Sequence, residues 1–374
     1  MAGIYIHIPF CKKACNYCNF HFSTQQNLMD EIIACIIAEI TLQKQYLQTP
    51  LSTIYFGGGT PSLLSPFHLN AIFNAIQKQF SILTNAEISI EANPDDISPT
   101  LIKTWKEVGI NRISIGIQSF QQNDLIWMNR AHNATQALAV IPMAQDGGIH
   151  NISIDLIYGG PTLSETNWLK NLQTAFDFDI PHLSCYALTV EPKTVLANKI
   201  NRKKLPDIDP TKQALHFNLL VQQTAAAGYE QYEISNFSKD GKRSKHNSSY
   251  WAGKYYLGIG PSAHSYNGDS RQWNISNNSL YIKSIEKGMV PYEMEILSAN
   301  QKINEYIMTA LRTIEGIHFE TLNKIAGSSL SVIVLAESSN YLKAGMMVET
   351  GEYLYLSNSG KFYADGIAAH LFRD

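Results

Sequence analysis

Strand-like and helical segments alternate along the first half of this chain, and this alternation constrains the fold more than any other feature. The six predicted strands, with helical patterns between them, are Ile4–Ile8, Thr53–Phe56, Glu87–Glu91, Arg112–Ile117, Asn151–Tyr158 and His182–Leu188. Such alternation predicts β/α units around a parallel sheet. A closed barrel of eight units needs about 250 residues, so six units predict an α/β fold with an open, partial (β/α)6 barrel.

Polar and glycine-rich segments stand where the predicted strands end. They are the cysteine-rich loop at residues 11–18, Gly57–Pro61, Glu91–Pro94, Gln118–Phe120 and the segment from Asp155 to Pro161. Ligands of parallel α/β sheets bind at the carboxyl ends of the strands. The sequence therefore predicts one binding site at this edge of the sheet.

The loop after the first predicted strand holds Cys11, Cys15 and Cys18, three of the five cysteines of the chain. With His21, these thiolates could complete a tetrahedral zinc site, but such sites are typical of small modules that need the metal to fold. Alternatively, the thiolates hold three irons of a [4Fe-4S] cluster and leave the fourth iron without a protein ligand. The loop follows an apolar strand in a large chain, which favours the cluster.

Composition argues against a nucleic-acid-binding protein and against a transmembrane protein. The chain has 374 residues, of which 45% are hydrophobic and 16% charged, and its net charge of -3 offers no basic face to nucleic acid. No run of about 18 apolar residues occurs, so no transmembrane segment is predicted, and no signal peptide is recognised. Cys35 and Cys185 stand in apolar patterns and are predicted to be buried free thiols. These features predict a cytoplasmic protein.

Three domains are predicted. Residues 1–200 form the barrel with its cysteine loop, residues 201–297 decorate the barrel without extending its regular pattern, and residues 298–374 form a separate module. In this module helical patterns precede two apolar strands, Met346–Glu349 and Tyr353–Leu356, and a last helix. This order predicts a winged-helix-like α+β module, and the lack of a basic recognition helix predicts a packing or partner role.

The spacing Cys-x3-Cys-x2-Cys, with Tyr17 before the last cysteine, resembles the radical S-adenosylmethionine (SAM) superfamily. The resemblance implies that SAM chelates the open iron and that an electron from the cluster cleaves it. It also implies that the glycine loop holds the amino group of SAM, while a carboxylate suits its ribose or amino group and Arg130 suits its carboxylate. The predicted SAM contacts are Tyr5, Tyr17, Gly58, Gly59, Thr60, Glu91, Gln118, Arg130 and Asp155.

Further motifs resemble the oxygen-independent coproporphyrinogen III oxidase family over nearly the whole chain. They are Tyr5-x-His7-x-Pro9-Phe10-Cys11, Gly57–Ser62, Arg112–Phe120, Asp155–Tyr158 and Tyr232–Phe237. One branch of this family is a dehydrogenase that decarboxylates coproporphyrinogen III by radical chemistry. The other branch is a heme chaperone that holds heme and passes it to an acceptor.

Three features favour the chaperone branch. Phe20 stands where the dehydrogenases carry a further cysteine, and the first predicted strand begins at residue 4, without their long N-terminal arm. The chaperone hallmark His-Asn-x-x-Tyr-Trp is present from His246 to Trp251. The resemblance implies heme contacts by His246, Asn247, Tyr250 and Trp251, with His246 either an axial ligand or a structural histidine in an aromatic core.

The chaperone resemblance implies as partners heme, an unidentified heme-acceptor protein and an electron donor, while the net charge predicts no nucleic-acid partner. Any membrane association would run through the acceptor. SAM cleavage would then be regulatory or feeble. The alternative is a radical enzyme that acts on a porphyrinogen, as the dehydrogenases do.

Overall fold

The structure, a computed structural model, describes residues 2–373 and alternates strands with helices in its first half as predicted. The elements of this half are β1 (Ala2–Ile8), α1 (Met29–Leu42), β2 (Leu51–Gly58), α2 (Pro66–Gln79), β3 (Ile82–Ala92), α3 (Pro99–Val108), β4 (Arg112–Gln118), α4 (Gln122–Trp127), α5 (Ala134–Asp146), β5 (Ile152–Tyr158), α6 (Glu165–Asp177) and β6 (His182–Ala187). Strands β1 to β6 are parallel neighbours in numerical order. This arrangement confirms the partial (β/α)6 barrel.

Local sequence sets where these helices begin and end. Ser65 and Ser98 each accept a backbone N–H of the first helical turn, and a proline follows each of them. Proline suits this position because its φ is already helical and its missing N–H would have no helical partner there. The helix predicted over Asn27–Gln48 is shorter, Met29–Leu42, and the apolar Leu47 is buried from the turn that follows it.

The middle segment extends the sheet at both sides. Its elements are α7 (Val195–Asn201), α8 (Pro210–Ala226), β7 (Glu230–Glu233), β8 (Asn236–Ser238), α9 (Lys245–Trp251), β9 (Tyr256–Ile259), β10 (His264–Tyr266), β11 (Ser270–Asn274), α10 (Asn278–Ile285) and β12 (Tyr292–Ile296). Strand β9 pairs in parallel with β1, and the others add antiparallel strands. Apart from β9, these strands are antiparallel and do not continue the regular β/α pattern of the barrel, and the bounds of the segment at residues 201 and 297 stay a prediction.

The resulting sheet has twelve strands in the order β12-β11-β10-β9-β1-β2-β3-β4-β5-β6-β8-β7. Its two ends, β12 and β7, do not pair with each other in the described part of the chain. Cys35 and Cys185 are buried, as predicted. Among the helices of residues 2–373, none has the length and apolar character that a membrane crossing requires.

The C-terminal module is winged-helix-like, as predicted. It contains α11 (Ala299–Arg312), β13 (Ile317–His318), α12 (Phe319–Ala326), α13 (Leu330–Glu337), α14 (Ser339–Lys343), β14 (Met347–Glu349), β15 (Tyr353–Leu356), α15 (Asn358–Lys361) and α16 (Ala364–His370). The short β13 adds a third strand that the sequence did not predict. The module has its own buried core, which includes Ile307 and Leu354. This separate core supports the boundary at residue 298, which stays a prediction.

Arg312, at the end of α11, joins the module to the barrel. Its Nε and Nη2 donate to Glu233 Oε1 at 3.1 and 2.9 Å, and its Nη1 donates to Asp365 Oδ1 at 3.1 Å. The guanidinium carbon also lies 5.2 Å from the centre of the Trp251 ring. The Glu233 side chain is only 1% exposed, so Arg312 neutralises a buried charge.

Replacing Arg312 should therefore destabilise the chain. We expect Arg312→Met to lower the free energy of unfolding by about 3 kcal/mol, because it leaves the buried Glu233 carboxylate unpaired. Urea denaturation measures this loss, and adding Glu233→Gln should recover part of it. Lys302→Met, which removes a surface ion pair with Asp269, is the control and should change little. Equal stability of Arg312→Met and Lys302→Met would contradict the role given to Arg312.

Candidate functional site

The carboxyl ends of the barrel strands open into a cavity of about 1220 Å³. The walls come from the strand-end loops of the barrel and from the C-terminal module. This volume exceeds the roughly 300–1,000 Å³ of a typical pocket for one small ligand. The predicted site residues that line it are Cys11, Cys15, Cys18, Tyr17, Gly58, Gly59, Thr60, Glu91, Gln118, Arg130 and Asp155.

Contacts from other parts of the barrel hold the cysteine loop. The Lys12 ammonium pairs with Asp95 at 3.0 Å and with Asp96. Asn16 Nδ2 donates to Trp127 O at 2.6 Å, and Asn129 Nδ2 donates to Ala14 O at 2.7 Å. The loop is therefore tied to the segments that follow β3 and α4, and its three half-buried thiols lie at the cavity wall.

The donors around the thiols suit thiolates that carry a metal. Thr60 Oγ1 donates to Cys11 Sγ, and Arg130 Nη1 donates to Cys15 Sγ, both at 3.3 Å. In the described residues, no group of three or more His, Cys, Asp or Glu is arranged around a single metal position. His21, the fourth ligand of the zinc alternative, has its Nε2 2.7 Å from Asn278 Oδ1. A four-iron cluster takes each thiolate on a different iron, so three cysteines of one loop can hold it.

The glycine loop packs directly against the strand that leads to the cysteines. Gly58 has a φ of 109°, which favours glycine, and a Cβ on Gly59 would lie 2.6 Å from the carbonyl oxygen of Phe10. Gly58 N donates to Glu91 Oε2 at 3.1 Å, and Gly59 N donates to Ile8 O at 2.8 Å. Glycine is therefore needed here to bring Thr60 next to Cys11.

Two carboxyl groups face the cavity with raised pKa values. Glu91 accepts hydrogen bonds from Tyr55 OH at 2.8 Å and from Gly58 N, while Asp155 accepts one from Ser114 Oγ at 3.4 Å. Burial raises the pKa of Glu91 to about 7, with a further contribution from the charge of Asp155. Burial likewise raises the pKa of Asp155 to about 6. A cationic or hydroxyl-bearing ligand would stabilise their ionised forms.

Arg130 keeps one donor free. Its Nη2 donates to Asn93 Oδ1 at 2.6 Å and to Gly116 O at 2.8 Å, but its Nε is buried without a partner. An unpaired buried donor beside the cysteine loop fits an anionic group such as the SAM carboxylate. Gln118 lies at a φ of 63°, which few residues other than glycine adopt. The sequence places the segment Glu91–Pro94 at the predicted site but does not single out Asn93 within it.

Tyr5 is the one predicted SAM contact that does not line the cavity. Its hydroxyl lies 3.2 Å from His7 Nδ1, and its ring stacks on Tyr55 with centroids 6.1 Å apart. Tyr55 in turn donates to Glu91. The ring of Tyr55 therefore connects Tyr5 to Glu91, which lines the cavity.

The four predicted heme contacts also lie outside the cavity lining, on α9. His246 is buried, with Nδ1 2.8 Å from Thr53 Oγ1 and Nε2 2.8 Å from Tyr250 OH. Its ring stacks on Tyr55 at a centroid distance of 4.9 Å. Trp251 faces Arg312, and Asn247 accompanies it on the same helix. Both ring nitrogens of His246 therefore have protein partners.

Sequence reasoning missed the module wall of the cavity. This wall includes Arg312, Tyr341, Met346, Lys361, Phe362 and Ile367. No local pattern could have indicated them, because their place depends on how the module packs over the barrel mouth. The ion pair of Arg312 with Glu233 is one of the contacts that fix this packing.

Comparisons with known proteins bear on this site. Residues 5–175 match the Radical SAM superfamily. The chain is 33% identical to the heme chaperone HemW of Bacillus subtilis (strain 168), over 98% of both chains. It is 32% identical to the HemW of Mycobacterium tuberculosis (strain H37Rv), over 99% of this chain and 94% of that protein. This chain belongs to the HemW family.

A solved structure confirms the fold of this HemW family member. Coproporphyrinogen III oxidase (HemN) from Escherichia coli, a radical SAM enzyme, matches with a TM-score of 0.86 over 99% of this chain and 90% of that chain. The two chains share 20% identity, so the match shows a common fold. Membership of the radical SAM superfamily implies a [4Fe-4S] cluster and SAM.

The raised pKa of Glu91 predicts a dependence of stability on pH. Between the ordinary glutamate value of 4.5 and about 7, the folded chain holds a proton that the unfolded chain has lost, so the free energy of unfolding falls as pH rises. Glu91→Gln has no carboxyl group to titrate at this position. The decrease in its free energy of unfolding between pH 5 and pH 8, measured by urea denaturation, should be smaller than the decrease in the wild type by up to about 3 kcal/mol.

The matched control is Glu107→Gln, which changes an exposed carboxylate on α3. This variant should show the same fall in stability as the wild type. Identical falls in wild type and Glu91→Gln would contradict the raised pKa of Glu91.

Proposed function

We propose that this chain is a heme chaperone that binds heme and transfers it to an acceptor protein, and that it carries a [4Fe-4S] cluster and SAM at the barrel mouth. The observation that carries this proposal is the match to HemW heme chaperones over nearly the full length of both chains. The cavity supports it, because the cysteine loop and eight predicted SAM contacts share one space with an apolar wall of the module.

The residues at the mouth would divide the binding of the cofactors among them. Cys11, Cys15 and Cys18 would hold the cluster, which when bound supplies the electron for reductive cleavage of SAM. The free Nε of Arg130 would bind the SAM carboxylate, and Glu91 and Asp155 would accept hydrogen bonds from its ammonium and ribose groups. The glycine loop leaves room for SAM close to the backbone.

The alternative function, radical decarboxylation of coproporphyrinogen III, is supported by the fold alone. The position of the dehydrogenases' further cysteine is taken by Phe20, whose side chain is 68% exposed and lines the cavity. A phenylalanine cannot supply a thiolate there. This difference favours the chaperone among the two candidates.

An anaerobic assay separates the two functions. The reconstituted chain, checked for roughly four irons per chain, is given SAM, a reductant and coproporphyrinogen III, with the Escherichia coli oxidase as positive control. We expect no protoporphyrinogen from this chain, and in a parallel titration a Soret band that saturates with heme. Formation of protoporphyrinogen would contradict the chaperone proposal, and so would a titration without saturable heme binding.

The heme contact predicted for His246 stays a prediction, and the structure supports a structural role for its ring. Burial lowers the pKa of His246 to about 3, and the neutral ring bonds the hydroxyls of Thr53 and Tyr250. We expect His246→Ala to lower the free energy of unfolding by about 2–3 kcal/mol, because it leaves a cavity and two hydroxyls unpaired. The Soret maximum of the heme-loaded variant should stay unchanged.

The control for this experiment is His150→Ala, which changes an exposed histidine before β5. It should alter neither stability nor spectrum. A lost or displaced Soret band in His246→Ala, with stability kept, would establish His246 as a heme ligand instead.

A further inference from the structure

The part of the cavity beneath the C-terminal module has an apolar lining, which we call the module side. It consists of Phe217 and Ile234 of the barrel and Met346, Phe362 and Ile367 of the module. The rings of Phe217 and Phe362 meet there with centroids 6.0 Å apart. This side therefore presents hydrophobic surface from both domains to any ligand in the cavity.

One cation on the module side has no acidic partner. Lys361 lines the cavity, and its Nζ donates to two neutral amide oxygens, Gln231 Oε1 at 2.9 Å and Asn358 Oδ1 at 3.2 Å. Burial lowers its pKa, since nothing nearby compensates the loss of water around the ammonium. An anionic ligand group would supply that compensation.

The other cations of the cavity lining are either paired with carboxylates or lie at the cysteine loop. Arg312 is paired with Glu233 and Asp365, Arg130 lies beside the cysteine loop, and Lys13 Nζ donates to the carbonyl oxygen of Arg130 at 3.2 Å. Lys361 is therefore the lining cation best placed to meet an acidic group of a ligand on the module side.

We propose that Lys361 binds a carboxylate of a flat, apolar ligand that lies against the hydrophobic side chains of the module side. The inference rests on the proposed function, under which the ligand is heme and the carboxylate is one of its propionates. The charge-assisted hydrogen bond would orient the ligand with a propionate toward α15 and its ring against Phe217 and Phe362.

Porphyrin affinities test this role of Lys361. The probes are metal-free protoporphyrin IX and its dimethyl ester, which lack an iron and so bind without an axial ligand. Their dissociation constants are measured by fluorescence titration of the full, cluster-reconstituted chain under anaerobic conditions. The variants are Lys361→Met, Lys361→Arg and Lys324→Met, the last removing an exposed lysine of α12. Heme uptake by the wild type is measured in parallel.

We expect Lys361→Met to weaken binding of the free acid roughly tenfold and to leave the ester unaffected, because only the acid offers a charge to the ammonium. Lys361→Arg should keep most of the affinity, and Lys324→Met should match the wild type. Unchanged affinity of Lys361→Met for the acid, with normal heme uptake by the wild type, would overturn the inference alone. Equal weakening for acid and ester would overturn it too. A wild type that binds neither heme nor porphyrin would overturn the proposed function as well.

Discussion

The parallel pairing of β1 with β2 brings the cysteine loop and the glycine loop to the same point. In this register Ile8 lies beside Gly58, and the chain continues so that Gly59 touches the backbone of Phe10. Any side chain at Gly59 would separate the strand ends and move Thr60 away from Cys11. The spacing at the centre of the site therefore depends on backbone contacts, which are stiffer than contacts between long side chains.

Burial then determines the electrostatics of that site. The cavity raises the pKa values of Glu91 and Asp155, and it leaves the Nε of Arg130 without a partner. Burial disfavours the charged forms of the two carboxyl groups, which a cationic or hydroxyl-bearing ligand would stabilise. The contact between Arg312 and Glu233 holds the module against the barrel mouth, and Arg312 itself lines the same cavity.

The barrel and its site edge could be predicted from sequence because both follow from local patterns. Strand and helix periodicity gave β1 to β6, and the rule that ligands bind at strand ends grouped residues as distant as Cys11 and Asp155. The pairing of β9 with β1 could not be predicted, since it joins two short segments far apart in the chain. Lys361 gave no signal either, because a lysine in a short helix reads as a surface residue until its surroundings are known.

The heme contacts of the His-Asn-x-x-Tyr-Trp segment stay a prediction, but the segment has a structural role in the fold. His246 bonds Thr53 of β2, and its ring fills the space beside Gly3, where a Cβ would lie 3.3 Å from it. Its backbone N–H donates to Glu87 of β3 at 3.0 Å, while Trp251 at the other end of α9 faces Arg312 of the module. One turn and a half of helix thus connects two barrel strands with the module that covers the mouth. These contacts give the histidine and the tryptophan of the segment a shared structural role.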